Sequence, residues 1–158
     1  MLSTKPILAL SALLAFAPVA LAQGASVSPK QTAVVEQLLA GYAAKAKEDL
    51  LKSGRKVNPA QALTFSAETG REFYLKRRTW EEHDRTCSGC HTEDPAREGK
   101  HVDTKKAIKP LAPKANAERF TDAKKVEKNF AEHCVDLYQR DCTASEKGHF
   151  ITYLMSAK

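Results

Sequence analysis

Apolar residues recur at helical spacing in several segments of the chain, and most of these segments open with residues that cap a helix. The first opens with Ser28, Pro29 and Gln31, which supply an N-cap, a proline suited to the first helical position and the glutamine of a capping box. Its apolar face consists of Val34, Val35, Leu38, Leu39 and Tyr42. We predict a helix here that ends near Leu51.

Three further helices are predicted, over residues 66–77, from 121 or 122 to about 137, and from 143 towards the C-terminus. Thr121 or Asp122 caps the third helix, and Thr143 with Glu146 forms a second capping box at the start of the last helix. Because no convincing pair of strands is visible, the predicted fold class is all-α.

Residues 78–120 are predicted to form a long, mostly irregular central loop. Pro95, Pro110 and Pro113 interrupt regular structure there, and polar residues dominate between them. A loop of this length is uncommon in a compact domain unless something organises it. The sequence therefore calls for an organiser, such as a cofactor.

The N-terminus has the pattern of a secretory signal peptide over residues 1–22. Lys5 gives a positive start, an apolar stretch follows, and the small residues Ala20 and Ala22 precede a cleavage site after Ala22. The apolar stretch is shorter than a membrane span and is interrupted by Pro18. We predict a periplasmic protein without a membrane span after cleavage. Residues 23–158 then form a single domain that begins with a helical extension over 23–60.

The chain is basic, with a formal net charge of +6 at pH 7. A basic surface suits an acidic protein partner or an anionic ligand. Aromatic and basic residues are not interleaved in the way that favours single-stranded nucleic acid, so no nucleic-acid partner is expected. The lysines that could frame a binding edge cluster in the second half of the chain: Lys105, Lys106, Lys109, Lys114, Lys124, Lys125 and Lys128.

The motif CSGCH at residues 87–91 predicts covalent attachment of one haem c. Cys87 and Cys90 are spaced to bond the two vinyl groups of a single haem, and His91 is placed to bind the iron as the proximal ligand. A zinc site would require a second pair of similar spacing, and a thioredoxin-like pair would require a strand–helix context. The chain has neither pattern, and the later Cys142 is followed by threonine rather than histidine.

The order of several motifs resembles the sphaeroides haem protein family of small exported monohaem cytochromes c. The matching stretches are CSGCHTEDPAREGKHVDTKKAIKPLAP, ERFTDAKKVEKNFAEHC and RDCTASEKG. The resemblance implies a class I cytochrome c-like fold, in which a glycine on one terminal helix lets an aromatic residue of the other approach. Gly70 with Tyr74, facing Tyr153, fits that arrangement.

The resemblance also implies a distal ligand, a disulfide and a partner. Family members typically carry an asparagine before the first of two later cysteines, and this asparagine binds ferric iron and leaves on reduction so that oxygen or nitric oxide can bind. The matching residue here is His133, which departs from the family pattern. Cys134 and Cys142 match the disulfide cysteines, and the implied redox partner is a dihaem cytochrome c.

His133 is the favoured sixth ligand. It lies at helical spacing from Val126, Phe130 and Leu137 on a face that is otherwise apolar, where burying it unpaired would be costly. The alternative is a histidine at the helix edge that bonds a haem propionate or water. Weaker candidates are Met155, His101 and Lys109, whereas His83 and His149 are predicted to lie on the surface.

Two functions follow from these ligands. The first is electron transfer by a periplasmic monohaem c-type cytochrome with His91 and His133 as axial ligands. The alternative is an oxygen- or nitric-oxide-binding haem protein, in which the distal ligand leaves on reduction. A haem enzyme such as a peroxidase would require a distal acid–base residue that the sequence does not offer convincingly, so no catalytic activity is expected.

Overall fold

The computed structural model describes residues 26–56, 58, 62–80 and 83–157, so the predicted signal peptide lies outside the described residues. Its helices are α1 (Pro29–Lys52), α2 (Ala67–Leu75), α3 (Cys87–His91), α4 (Ala123–Tyr138) and α5 (Ala144–Ser156). Its strands are β1 (Arg78–Trp80), β2 (His83–Arg85), β3 (Gly99–Lys100) and β4 (Ala107–Ile108). None of the helices in this described part is long and apolar enough to cross a membrane.

The predicted helix starts are confirmed. Ser28 caps α1 and forms the capping box with Gln31. Asp122 caps α4 by accepting hydrogen bonds from two backbone amides of its first turn. Thr143 and Glu146 form the capping box of α5. Each helix therefore begins where a side chain satisfies the unpaired amides of its first turn.

The expectation that no strands pair is wrong. β1 pairs with β2 and β3 pairs with β4, in two separate antiparallel ladders. Each strand has only two or three residues. So few residues cannot display an alternating pattern, and these ladders were invisible in the sequence for that reason. The predicted irregular region also contains the short helix α3.

Helices α2 and α5 cross in close contact at Gly70. A Cβ atom at this position would lie 2.0 Å from the backbone oxygen of His149 and 2.8 Å from Cβ of Tyr153. Only glycine permits this approach. Beside the crossing, the rings of Tyr74 and Tyr153 have centroids 5.4 Å apart. The predicted contact between the two helices is therefore present.

Helix α1 packs on the same core and also holds the central loop. Its inner face buries four residues in that core: Val35, Leu38, Tyr42 and Ala46. Gln31 is 1% exposed, and its side-chain amide lies 3.0–3.3 Å from the backbone oxygens of Pro113, Asn116 and Arg119. The loop is thus organised in part by a buried glutamine from the N-terminal helix.

Candidate haem site

A cavity of about 620 Å³ lies between α3, α4 and the central loop. This volume is within the range of about 300–1,000 Å³ that holds most cofactors and small ligands. The predicted site residues Cys87, Cys90, His91 and His133 all line it. Its apolar wall includes Ile108, Leu111, Phe120, Val126, Phe130 and Leu137. The fold therefore brings His133, more than forty residues further along the chain, to the same mostly apolar space as the attachment motif.

Helix α3 presents both cysteines of the attachment motif to this cavity. Thr86 caps the helix by accepting a hydrogen bond of 2.9 Å from the Gly89 amide. Cys87 and Cys90 are one helical turn apart, so they lie on the same side of α3. Both side chains are half-buried and take no part in a disulfide.

Contacts on its other side hold α3 in position. The Tyr74 hydroxyl lies 3.1 Å from the backbone oxygen of His91 and 2.5 Å from that of Thr92. The hairpin strand β3 approaches so closely that a Cβ at Gly99 would lie 2.1 Å from the Cys90 backbone oxygen. The orientation of His91 therefore depends on α2 and on the β3–β4 hairpin.

The imidazole of His91 is suited to bind a metal. Burial, the neighbouring Arg119 cation and His133 together lower the pKa of His91 to about 4. The ring is therefore neutral at physiological pH, and neutral imidazole is the form that ligates iron.

His133 lies across the cavity from His91, with ring centroids 6.4 Å apart and ring planes at 72°. A metal–nitrogen bond to imidazole is about 2 Å long, so two such bonds plus half a ring on each side require about 6 Å between ring centres. The spacing fits two imidazoles bound to one iron. His133 is solvent-exposed, however. Ligation by His133 is therefore not supported by the cost of burying an unpaired histidine, and the prediction of a buried position is wrong.

A disulfide joins Cys134 to Cys142. Cys134 directly follows His133 on α4, and Cys142 directly precedes the N-cap of α5. Both cysteines are buried. The covalent bond therefore fixes the part of α4 that carries His133 to the start of the last helix.

The weaker ligand candidates have other contacts. Met155 packs against the hydrophobic core and does not line the cavity. Lys109 lines the cavity, but its ammonium forms an exposed ion pair with Glu118 at 2.8 Å. His101 also lines the cavity, and its Nδ1 accepts hydrogen bonds of 3.2 Å from the Asp103 and Thr104 amides.

The sequence predicts His149 on the surface, and the structure shows it only partly exposed. His149 is half-buried, its Nδ1 accepts a hydrogen bond of 2.8 Å from the Ser66 amide, and its ring packs edge-on against Phe65. It therefore supports the start of α2, which a sequence pattern cannot reveal because the two residues are far apart in the chain. The side chain of His83 lies outside the described part of the structure.

Sequence reasoning missed two arginines that line the cavity, Arg85 and Arg119. Arg119 is half-buried, and its guanidinium donates hydrogen bonds to the backbone oxygens of Pro110 at 2.9 Å and Lys109 at 3.1 Å. Burial lowers its pKa. Arg85 pairs with Asp103 across 3.3 Å. These cations suit an anionic group of a ligand, and only the folded loop brings them to the cavity.

The C-x-x-C-H helix α3 faces an apolar cavity with a second histidine across it, and helices α2 and α5 cross nearby. This combination defines a class I c-type cytochrome. Solved structures share this fold. Oxidised cytochrome c'' from Methylophilus methylotrophus aligns with a TM-score of 0.68 at 36% identity, over 80% of this chain and 96% of that one. Oxidised SHP, described as an oxygen-binding cytochrome c, aligns with a TM-score of 0.59 at 36% identity, over 76% and 94%.

The relatives by sequence are the same two proteins. The c-type protein SHP of Cereibacter sphaeroides is 36% identical over 119 residues, which is 75% of this chain and 80% of SHP. Cytochrome c'' of Methylophilus methylotrophus is 46% identical over 84 residues, which is 53% of this chain and 58% of cytochrome c''. Residues 60–154 also match a family model described as a domain of unknown function, DUF1924.

The chain therefore belongs to the family of cytochrome c'' and the sphaeroides haem protein, as the motif order indicated. It is a monohaem c-type cytochrome with one covalently attached haem c and an all-α, class I-like fold. The order of motifs in the sequence thus predicted both the cofactor and the fold class.

Proposed function

We propose that this protein is an electron-transfer cytochrome in which Cys87 and Cys90 attach the haem and His91 and His133 bind its iron. The observation that carries the proposal is the 6.4 Å spacing of the two imidazole rings across the cavity. When bound, the haem supplies an iron centre that changes its charge by one electron.

The two histidines favour electron transfer over ligand binding. Two imidazoles on the iron would leave no ligand position open, so little rearrangement would accompany a change of oxidation state. The disulfide limits how far the backbone at His133 can move. We assign no catalytic reaction to the site.

The proposed location is the periplasm, after removal of residues 1–22. Covalent haem attachment through two thiols and a disulfide between the remaining two cysteines suit an exported protein in an oxidising compartment. N-terminal sequencing of the protein purified from its host should begin at Gln23, whereas a chain that begins at Met1 would contradict the proposal.

The proposed partner is an acidic redox protein. The family resemblance suggests that this partner is a dihaem cytochrome c. Val102 is 43% exposed, lines the cavity, and its amide lies 3.4 Å from the Cys90 sulfur. The exposed side chains of Lys105 and Lys106 follow on the same hairpin. An apolar contact point beside a thioether sulfur, with cations around it, suits a transient acidic partner.

A second candidate is the binding of oxygen or nitric oxide after His133 leaves the reduced iron. Three observations favour it. SHP is described as an oxygen-binding cytochrome c, and a further structure of cytochrome c'' concerns haem-ligand detachment. His133 is also exposed, so its side chain has space outside the cavity.

The test of the proposed ligands is the absorption spectrum of both oxidation states for the wild type and for His133→Ala. We expect a low-spin wild type and a high-spin ferric variant, because the variant lacks one axial imidazole. The control is His101→Ala, which also changes a cavity histidine and should leave the spectrum unaltered. A low-spin spectrum in His133→Ala would overturn the assignment.

Carbon monoxide separates the two candidate functions. Slow or incomplete binding to the reduced wild type is expected if His133 stays on the iron. Fast, stoichiometric binding to the wild type, at the rate of His133→Ala, would favour the gas-binding candidate instead.

A further inference from the structure

A charged cluster lies on the side of α4 that faces α1 and α5. The Tyr42 hydroxyl of α1 donates a short hydrogen bond to Oε1 of Glu127 on α4. Lys147 of α5 places its Nζ 2.7 Å from the other carboxylate oxygen of Glu127. One carboxylate of α4 therefore bonds two different helices at once. We call Tyr42, Glu127 and Lys147 the α4 clamp.

The α4 clamp is partly removed from water. The Lys147 side chain is 18% exposed and that of Glu127 is 42% exposed, and the ammonium lies 5.7 Å from the ring centroid of Tyr42 and 5.5 Å from that of Phe130. Burial and the neighbouring carboxylate raise the pKa of Tyr42, so its hydroxyl stays protonated and remains a donor. Removing one member of a partly buried ion pair costs far more than removing an exposed pair.

The position of the α4 clamp along the helix relates it to the distal histidine. Glu127 precedes His133 by less than two turns, and the disulfide at Cys134 follows directly. His133 is thus bracketed by an ionic anchor and a covalent anchor. Between them, the buried Phe130 lines the haem cavity and contacts the ring of Tyr42 edge-on.

We infer that Glu127 is a positioning residue that holds α4 where His133 can bind the iron. The inference rests on the proposed ligation by His133. An iron–imidazole bond tolerates little change in length, so a helix that is free to shift or rotate weakens ligation without losing its fold. None of the three residues of the α4 clamp lines the haem cavity, so any effect of the clamp on the haem passes through the helix.

The test compares Glu127→Gln with Glu132→Gln in the ferric holoprotein. Glu132 lies next to His133 on the exposed side of α4, where it faces Lys128 at 3.6 Å. Both changes remove one negative charge from the same helix. Imidazole, a neutral ligand, is titrated against each protein, because it can bind the iron only when His133 leaves.

We expect Glu127→Gln to bind imidazole about tenfold more tightly than the wild type, the scale set by one hydrogen bond to a charged group. Glu132→Gln should stay within about twofold, as expected for an exposed ion pair. Lys147→Met should match Glu127→Gln, and Lys147→Arg should restore most of the wild-type affinity. If Glu127→Gln does not fold, Tyr42→Phe replaces it, because that change removes only a hydroxyl.

A purely structural role would give a different result. It would lower the thermal unfolding midpoint of Glu127→Gln while its imidazole affinity and spectrum stayed equal to those of the wild type, and this outcome would overturn the inference. A low-spin spectrum in His133→Ala would instead overturn the ligation itself, so the two failures are distinguishable.

Discussion

At the scale of single residues, buried polar side chains join parts of the chain that are distant in sequence. Gln31 is the clearest case, because its side chain accepts the Ser28 amide in the capping box and donates to three carbonyls of the central loop. The sequence reveals the first role, since it depends on residues three positions apart. The second role depends on the folded loop, which no local pattern encodes.

Replacing Gln31 with alanine should therefore destabilise the protein by about 2–4 kcal/mol, since the buried carbonyl of Pro113 and the partly buried carbonyls of Asn116 and Arg119 lose their donor. Gln37→Ala is the matched control, because Gln37 is exposed on the same helix, and its change should fall within about 0.5 kcal/mol. Urea unfolding of both variants measures the free energies. Equal stability of the two variants would show that the loop does not depend on Gln31.

Some residues of the candidate site could be predicted from the sequence, and others could not. CSGCH is a local motif whose spacing has a chemical reason, so its prediction required no structure. The prediction of His133 also depended on the order of motifs shared with the family. His133 was predicted to be buried, but it is exposed in the structure. Arg85 and Arg119 escaped notice because isolated arginines in a loop carry no spacing signal.

At the scale of elements, helices α1, α4 and α5 were predictable because capping residues and apolar residues at helical spacing mark them. The ladders β1–β2 and β3–β4 were not, because each is too short for a period. The crossing of α2 and α5 was suggested by Gly70 near aromatic residues, and the close approach at Gly70 explains why glycine is required there.

Gly70→Ala should destabilise the protein by about 2 kcal/mol or more, since a methyl group would meet the backbone of α5. Gly41→Ala is the control, because a Cβ at Gly41 on α1 meets nothing within 4 Å. That change should stabilise the protein by about 0.5–1 kcal/mol through helix propensity. Thermal unfolding of both variants gives the comparison, and the prediction fails if the two changes have the same sign.

At the scale of the whole molecule, the candidate haem cavity lies between α3, α4 and the long central loop. The fold class and the cofactor could be predicted from motif order, while the cavity's shape could not, because residues from the loop and from α4 build it jointly. The net charge of +6 acts at the same scale, since it raises the rate at which anionic partners meet the molecule.

If the lysines of the β3–β4 hairpin direct that encounter, Lys105→Glu combined with Lys106→Glu should slow oxidation of the reduced protein by ferricyanide about tenfold at low ionic strength. Lys45→Glu combined with Lys52→Glu changes the net charge equally on α1 and should have a smaller effect. Stopped-flow rates at several salt concentrations measure both. Equal slowing by the two pairs would mean that net charge, and not this surface, governs the encounter.

The central claim is that two histidines of this chain bind the iron, and counting the histidine nitrogens coupled to the iron tests it most directly. The ferric protein is prepared with ¹⁵N-labelled histidine and examined by electron–nuclear double resonance, which separates the labelled nitrogens from the unlabelled porphyrin. We predict two coupled histidine nitrogens in the wild type and one in His133→Ala. A single coupled histidine nitrogen in the wild type would contradict it.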